Sequence, residues 1–141
     1  MYCESHQVRD HVLQNAKDEI SATMREVANT IYGLSEIAFE ERQSAAYLAD
    51  LLESAGFSVT RGYCEMPTSF RAEMRGSKPA PTVALIAEYD ALPRIGHACG
   101  HNLISSCTIG AALALNSVMK DLPGRIVVIG APAEESGGGK A

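Results

Sequence analysis

An α/β fold is predicted by three features of the sequence. Two continuous apolar runs, residues 82–87 and 125–129, are separated by one long helical segment. Upstream, apolar residues recur at helical spacing before the period changes to two. Ligand-type side chains follow each apolar run. Strand, helix, strand makes a βαβ unit, which pairs its strands in parallel through a right-handed crossover. With 141 residues the chain has room for one domain and not two.

The elements follow in order. Over residues 7–32, Leu13, Ala16, Ile20, Met24, Val27 and Ile31 recur at helical spacing, which predicts one long amphipathic helix stopped by Gly33. A second helix is predicted over 40–54, with Ala45, Leu48, Leu52 and Ala55 on one side and Gly56 closing its end. Phe57, Val59 and Arg61 start a short strand. After Met66, Pro67 and Thr68, the residues Phe70, Ala72 and Met74 alternate with Arg71, Glu73 and Arg75, predicting a half-exposed strand pair near a sheet edge. Residues 77–81 form a Pro-containing turn. Residues 82–87 predict a strand buried on both faces, as in parallel sheets. Residues 102–119 predict a buried helix, ended by Leu122, Pro123 and Gly124, and residues 125–129 a second buried strand. There is no internal repeat, low-complexity tract or linker.

Bulk composition narrows the function. The chain is 46% hydrophobic and 21% charged, an ordinary globular balance. Its net charge is −5 with no Lys/Arg run, so nucleic acid and anionic membrane surfaces are not expected partners. The first residues lack the basic-then-apolar order of a secretion signal. The stretch 103–119 falls short of the ~20 apolar residues of a membrane span. Cys3, Cys64, Cys99 and Cys107 show no framework spacing, so reduced thiols are expected. A cytoplasmic location, with the nucleus also open, is expected rather than secretion.

Sites in open α/β sheets form beyond the carboxyl ends of the strands. The first apolar run is followed by Asp90, His97, Cys99 and His101, the second by Glu134 and Glu135. If the strands are neighbours, these six side chains share one crevice. Thiolate, imidazole and carboxylate are zinc ligands. Gly100, between Cys99 and His101, allows the bend that aims both at one point. The helix starting there would favour the Cys99 thiolate. Metal-assisted hydrolysis needs one carboxylate on the metal and a second to accept a proton from the attacking water. Adjacent Glu134 and Glu135 can divide these tasks, and Asp90 suits a role behind them, orienting an imidazole or thiolate.

Each motif has a plainer reading. A Cys-x-His pair is commonly a buried cysteine beside a capping histidine, a Glu-Glu pair a solvated loop, and an aspartate before a Pro-containing loop a turn residue. Two such clusters at one sheet edge favour the site. A thiol-reactive Cys99, activated by the helix N-terminus, is a further alternative. His6 and His11 are expected to be exposed on the first helix, and Cys107 to pack on the buried helix face. The terminal Gly-Gly-Gly-Lys is no phosphate loop, since Glu134 and Ala141 stand where glycine and Ser/Thr are required.

Glu88-Tyr89-Asp90-Ala91-Leu92-Pro93, Gly96-His97-Ala98-Cys99-Gly100-His101-Asn102 and Pro132-Ala133-Glu134-Glu135 resemble the peptidase M20 family of co-catalytic zinc amidohydrolases and dipeptidases. Within it they are similar to the branch with a bridging cysteine. Pro67-Thr68-Ser69-Phe70-Arg71-Ala72-Glu73 is similar to the members that cleave β-alanyl-lysine and other Xaa-Lys/Arg/ornithine dipeptides. The resemblance implies a three-layer doubly wound sheet of a zinc-peptidase-type catalytic domain. It implies two divalent metal ions, zinc or manganese, bridged by Cys99, with His101 on one and Glu135 on the other. Glu134 would be the general base and Asp90 would orient a ligand. His97 matches the motif without a ligand role. The substrate would be a small dipeptide or N-acyl amide, and the parent enzyme a homodimer.

Arg94 departs from the pattern, standing where the family usually has glycine, and would be strained if the position needs positive φ. Two further histidine ligands and the lid and dimerisation domain are not within the 141 residues. The expectation is therefore the first part of a catalytic domain, with the metal site incomplete. The alternative is a non-catalytic fragment with weak metal binding or an interaction role.

Overall fold

The structure is a computed structural model and describes residues 2–139. Lys140 and Ala141, which bear on the phosphate-loop reading, lie outside the described residues. The long first helix starts at Tyr2, earlier than the apolar spacing predicts. It consists of α1 (Tyr2–Asn15), a π turn (Ala16–Ile20) and α2 (Ser21–Leu34). The π turn inserts one extra residue and offsets the apolar stripes on its two sides. Only α2 buries its stripe fully, at Val27 and Ile31, while Leu13 of α1 is half-exposed. Ser35, in a left-handed conformation, ends α2 just past the expected Gly33.

Helix α3 (Arg42–Ser54) is capped at a distance. The Glu36 carboxylate accepts the N–H groups of Gln43 and Ser44 and the Ser44 hydroxyl. These are orphan donors of a first helical turn, and their bonds hold the Glu36 carboxyl below its ordinary pKa against its burial. Strands β1 (Ser58–Arg61), β2 (Phe70–Arg75), β3 (Thr82–Glu88) and β4 (Arg125–Ala131) form one sheet of order β1-β2-β4-β3. The β1-β2 and β2-β4 pairs are antiparallel, and β3 runs parallel to β4. Helix α4 (His101–Asn116) makes the crossover between β3 and β4. The expected α/β class and βαβ unit are both present.

Register sorts the side chains. Phe70, Ala72 and Met74 lie level with Gly130, Val128 and Ile126, and these with Ala87, Leu85 and Val83. This face packs against α2, α3 and α4 in one core containing Val27, Leu48, Leu52, Phe70, Ile109 and Val128. Gly130 is needed there, because a Cβ would lie 2.2 Å from Cε1 of Phe70. The chain thus supplies the sheet and one helical layer of the three-layer arrangement. The other face carries Arg71, Glu73 and Arg75 beside Val127, Ile129 and Ile86.

Two burial expectations are corrected. The β3 run is not buried on both faces: Ile86 is 39% exposed on the face away from the helices, and Val83, on the helix side near the start of the strand, is 50% exposed. Strand β3 stands at the sheet edge, and no described helix covers its far face. Strand β4, between two neighbours, is the better buried, with only Arg125 and Ile129 partly exposed. Cys107 is exposed, with Leu103 and Ile104, because α4 is apolar on more sides than the sheet and α2 cover. Its seat is polar instead. Thr108 donates to the Ile86 carbonyl (2.6 Å), Ser105 to the Glu88 carbonyl, and Ser106 to the Met24 carbonyl (2.6 Å). His6 and His11 are exposed, as expected. Among the described residues no helix is long and apolar enough to cross a membrane.

Candidate metal centre

Parallel pairing sets Glu88 level with Ala131, so β3 and β4 end side by side. The chain leaves β3 through Tyr89 and Asp90, both buried. The Tyr89 hydroxyl donates to the Thr68 carbonyl (2.6 Å), and its ring stacks on Phe70. The following loop is closed by reciprocal backbone bonds between Leu92 and Gly96, both 3.0 Å. Its far end is tied down by His97, whose Nε2 donates to the Ile31 carbonyl at 2.9 Å. Burial holds the His97 ring below its ordinary pKa, favouring the neutral state. His97 is thus a fastener between the loop and α2. Gly100, at φ +84, then turns the chain into α4.

His101, first residue of α4, is the centre of the cluster and almost fully buried. Its Nδ1 lies 2.9 Å from the Asp90 carbonyl oxygen and 3.0 Å from Asp90 Oδ1. Both are acceptors, so Nδ1 is the donor and Nε2 is the nitrogen turned to the carboxylates. Around Nε2 stand Glu88 Oε2 at 3.5 Å, Glu135 Oε1 at 3.6 Å and Glu134 Oε2 at 3.8 Å. Ligand atoms of Glu88, His101 and Glu134 all lie within 4.8 Å of one another. Asp90 Oδ2 accepts the Glu135 N–H at 3.1 Å. Three carboxylates around one imidazole nitrogen form a donor set whose geometry fits a shared cation. Nitrogen and oxygen donors with a nearby thiol suit zinc or manganese.

The structure brings Asp90, Cys99, His101, Glu134 and Glu135 into one crevice, and directs the bonded nitrogen of His97 to α2. Cys99 is exposed, and its thiol meets the Glu135 carboxylate. That bond, with the negative charge of Glu135, Glu134 and Asp90, pushes the thiol above its ordinary pKa. The helix N-terminus therefore does not win at Cys99; the carboxylates do, and a bound cation would be required to make the thiolate. Glu88 is the residue that motif reading missed as a ligand. Its signal was present: an acidic residue ending an apolar strand at the carboxyl edge of the sheet.

A second missed residue is Glu41, which is completely buried. Its Oε1 accepts the N–H of Ala133 at 2.8 Å. Ala133 itself is left-handed, at φ 55 and ψ 42, immediately before Glu134. Desolvation raises the Glu41 pKa, and the Ala133 amide and Thr68 hydroxyl offset this only in part.

In sequence the chain is similar to the Xaa-Arg dipeptidase of Mus musculus, at 37% identity over 136 residues, covering 87% of this chain and 31% of the relative. It is also similar, at 37% identity over 134 residues, to a p-aminobenzoyl-glutamate hydrolase component of Escherichia coli, covering 82% of this chain and 27% of that one. The chain thus spans under a third of the length of these curated relatives. In structure it superposes with a TM-score of 0.68 and 26% identity on a dinuclear metal-binding peptidase of the M20 family from Bacillus subtilis, covering 80% of this chain and 36% of the other. No protein-family model matches the chain. The relatives' names and the superposed structure carry one conclusion: the chain belongs to the M20 peptidase family, whose N-terminal part it matches.

Proposed function

We propose that this chain builds part of a metal-dependent active site that hydrolyses small dipeptide or N-acyl amide bonds. The observation that carries the reading is the convergence of Glu88, His101 and Glu134 at the carboxyl ends of two parallel strands. The relatives named as a dipeptidase and an amide hydrolase supply the substrate class, with Xaa-Lys/Arg/ornithine dipeptides as the finer choice. His101, Glu135 and Cys99 would hold the divalent ions, and Glu88 stands close enough to join the set. When bound, the ions would polarise the scissile carbonyl and the attacking water.

The remaining chemistry belongs to the chain's own side chains. Glu134, with about a third of its side chain exposed, is within reach of a substrate. It takes a proton from the attacking water and returns it to the leaving amine. Asp90, sealed from solvent, fixes the His101 tautomer and the backbone of Glu135. In the whole protein, Glu134→Gln should abolish turnover of a Xaa-Arg dipeptide while metal stays bound; retained turnover removes the general-base role.

One observation favours a second reading for the chain by itself. Among the described residues the cluster contains a single imidazole, which is poor for two tightly held ions. On this reading the chain binds metal weakly and is silent as a catalyst. Metal analysis of the purified chain decides it, since two tightly held ions together with dipeptidase activity would overturn the silent reading.

A further inference from the structure

We propose that Glu41 is the positioning residue for Glu134, holding the loop after β4 in the one conformation that aims the general base at the metal centre. The inference rests on the reading of Glu134 as general base. Ala133 is a non-glycine residue in the left-handed region, a conformation that persists only where its surroundings enforce it. Both of its backbone polar groups are held. Its N–H bonds Glu41 Oε1 at 2.8 Å, and its carbonyl accepts the Gly139 N–H at 3.3 Å. Two residues on, the Glu135 N–H bonds Asp90 Oδ2. Two buried carboxylates, from chain positions far apart, therefore clamp the amides on either side of Glu134.

A purely structural purpose accounts badly for Glu41. It is fully buried, and its Oε2 has no partner at hydrogen-bonding distance among the described residues. Sealing a carboxylate from water with one oxygen unsatisfied opposes folding. What the carboxylate achieves is a short, directional bond to the amide of the residue whose ψ sets the heading of Glu134. This is backbone strain held at a functional site.

Two conservative variants of this chain separate reach from charge. Glu41→Gln keeps the reach and removes the charge. Glu41→Asp keeps the charge and withdraws the oxygen by one methylene. Residue-resolved hydrogen exchange at Ala133 and Glu135, and zinc affinity by calorimetry, are the readouts. Glu41→Gln should match the native chain in both. Glu41→Asp should lose protection at Ala133 and weaken zinc by about tenfold, because the segment that Glu41 holds also carries Glu135, the candidate ligand that follows Glu134. Core amides such as Leu48 and Val128 should stay protected in both variants. Unchanged exchange at Ala133 in Glu41→Asp overturns the proposal, as does an equal loss of protection across the core, which would make Glu41 a general stabiliser. If the native chain takes up no zinc, the chain alone does not complete the centre, and exchange at Ala133 decides whether Glu41 sets the loop.

Discussion

Asp90 meets both His101 and Glu135: its carbonyl oxygen bonds His101 Nδ1 at 2.9 Å with Oδ1 standing 3.0 Å from the same nitrogen, and its Oδ2 accepts the Glu135 N–H at 3.1 Å. The imidazole at the start of α4 and the carboxylate after β4 are therefore set by a single buried residue. Asp90→Asn keeps the carbonyl bond to His101 but removes the negative charge 3.0 Å from Nδ1 and leaves one amide oxygen to accept the Glu135 N–H, so it loosens the setting of both groups. Zinc affinity should fall by about 10–100-fold, the range seen for groups behind metal ligands. Calorimetric titration checks this, and an unchanged affinity removes Asp90 from the orienting role.

Cys99 offers a chemical test of the metal centre. Without metal its thiol is bonded to Glu135 and held protonated by nearby negative charge. Zinc should displace that proton and shield the sulfur. Alkylation followed by mass spectrometry should then show zinc slowing modification at Cys99 and leaving the exposed Cys64 and Cys107 unaffected. Equal protection at all three positions, or none at Cys99, places its sulfur outside the centre. Fast, zinc-independent alkylation of Cys99 would favour a thiol-reactive role, which the direction of its pKa shift opposes.

Glu73 governs acid stability away from the site. On β2 it lies between Arg71 and Arg75, whose hydrogen bonds hold its carboxyl at about 2. Arg75 is largely exposed and its share is screened by solvent, so Arg71 carries more of the effect. The folded pKa lies below the ordinary 4.5. The contribution is therefore full above the unfolded value and is lost as pH falls through the folded one. Thermal melts from neutral pH down to about 2 should show the native chain losing this increment between those two values. Glu73→Gln should melt lower at neutral pH, and the difference should close toward the acid end. A difference that stays constant with pH would assign the effect to packing.

Strand, crossover helix and strand were legible because an apolar run, a helical period and a second apolar run admit few alternatives. The edge position of β3 was not. An apolar run states that a strand can be covered, and says nothing about whether neighbours exist to cover it. At the site, Asp90, Cys99, His101, Glu134 and Glu135 were candidates by residue type and by their place after two apolar runs, and the parallel pairing of β3 and β4 brings them together. Glu88 was hidden by its place inside the strand motif. Glu41 was hidden for a different reason: it acts on Ala133 across 92 positions of sequence. Next to Glu40 and just ahead of α3, it reads as an ordinary acidic residue at a helix start. His97 likewise has its role only through Ile31, 66 positions away. Contacts of this kind are made by tertiary packing and leave no local periodicity.

Arg94 carries the last prediction. It occupies the exposed tip of the loop closed by Leu92 and Gly96, at φ 71. Strain there is conditional on positive φ, and the condition holds. A left-handed conformation costs a residue with a Cβ roughly 1–2 kcal/mol. Glycine removes that cost and gives back about 0.5–1 kcal/mol in unfolded-state entropy. Arg94→Gly should therefore gain up to about 1.5 kcal/mol, a rise of at most roughly 3–6 °C in Tm at this chain size. Arg94→Ala retains the Cβ and should show no such gain, which separates backbone strain from the loss of a charged side chain. Zinc affinity should be unaffected in both variants, because His97 and Gly100 tie the chain again before it reaches His101. If alanine stabilises as much as glycine, the strain at this position is not the cause.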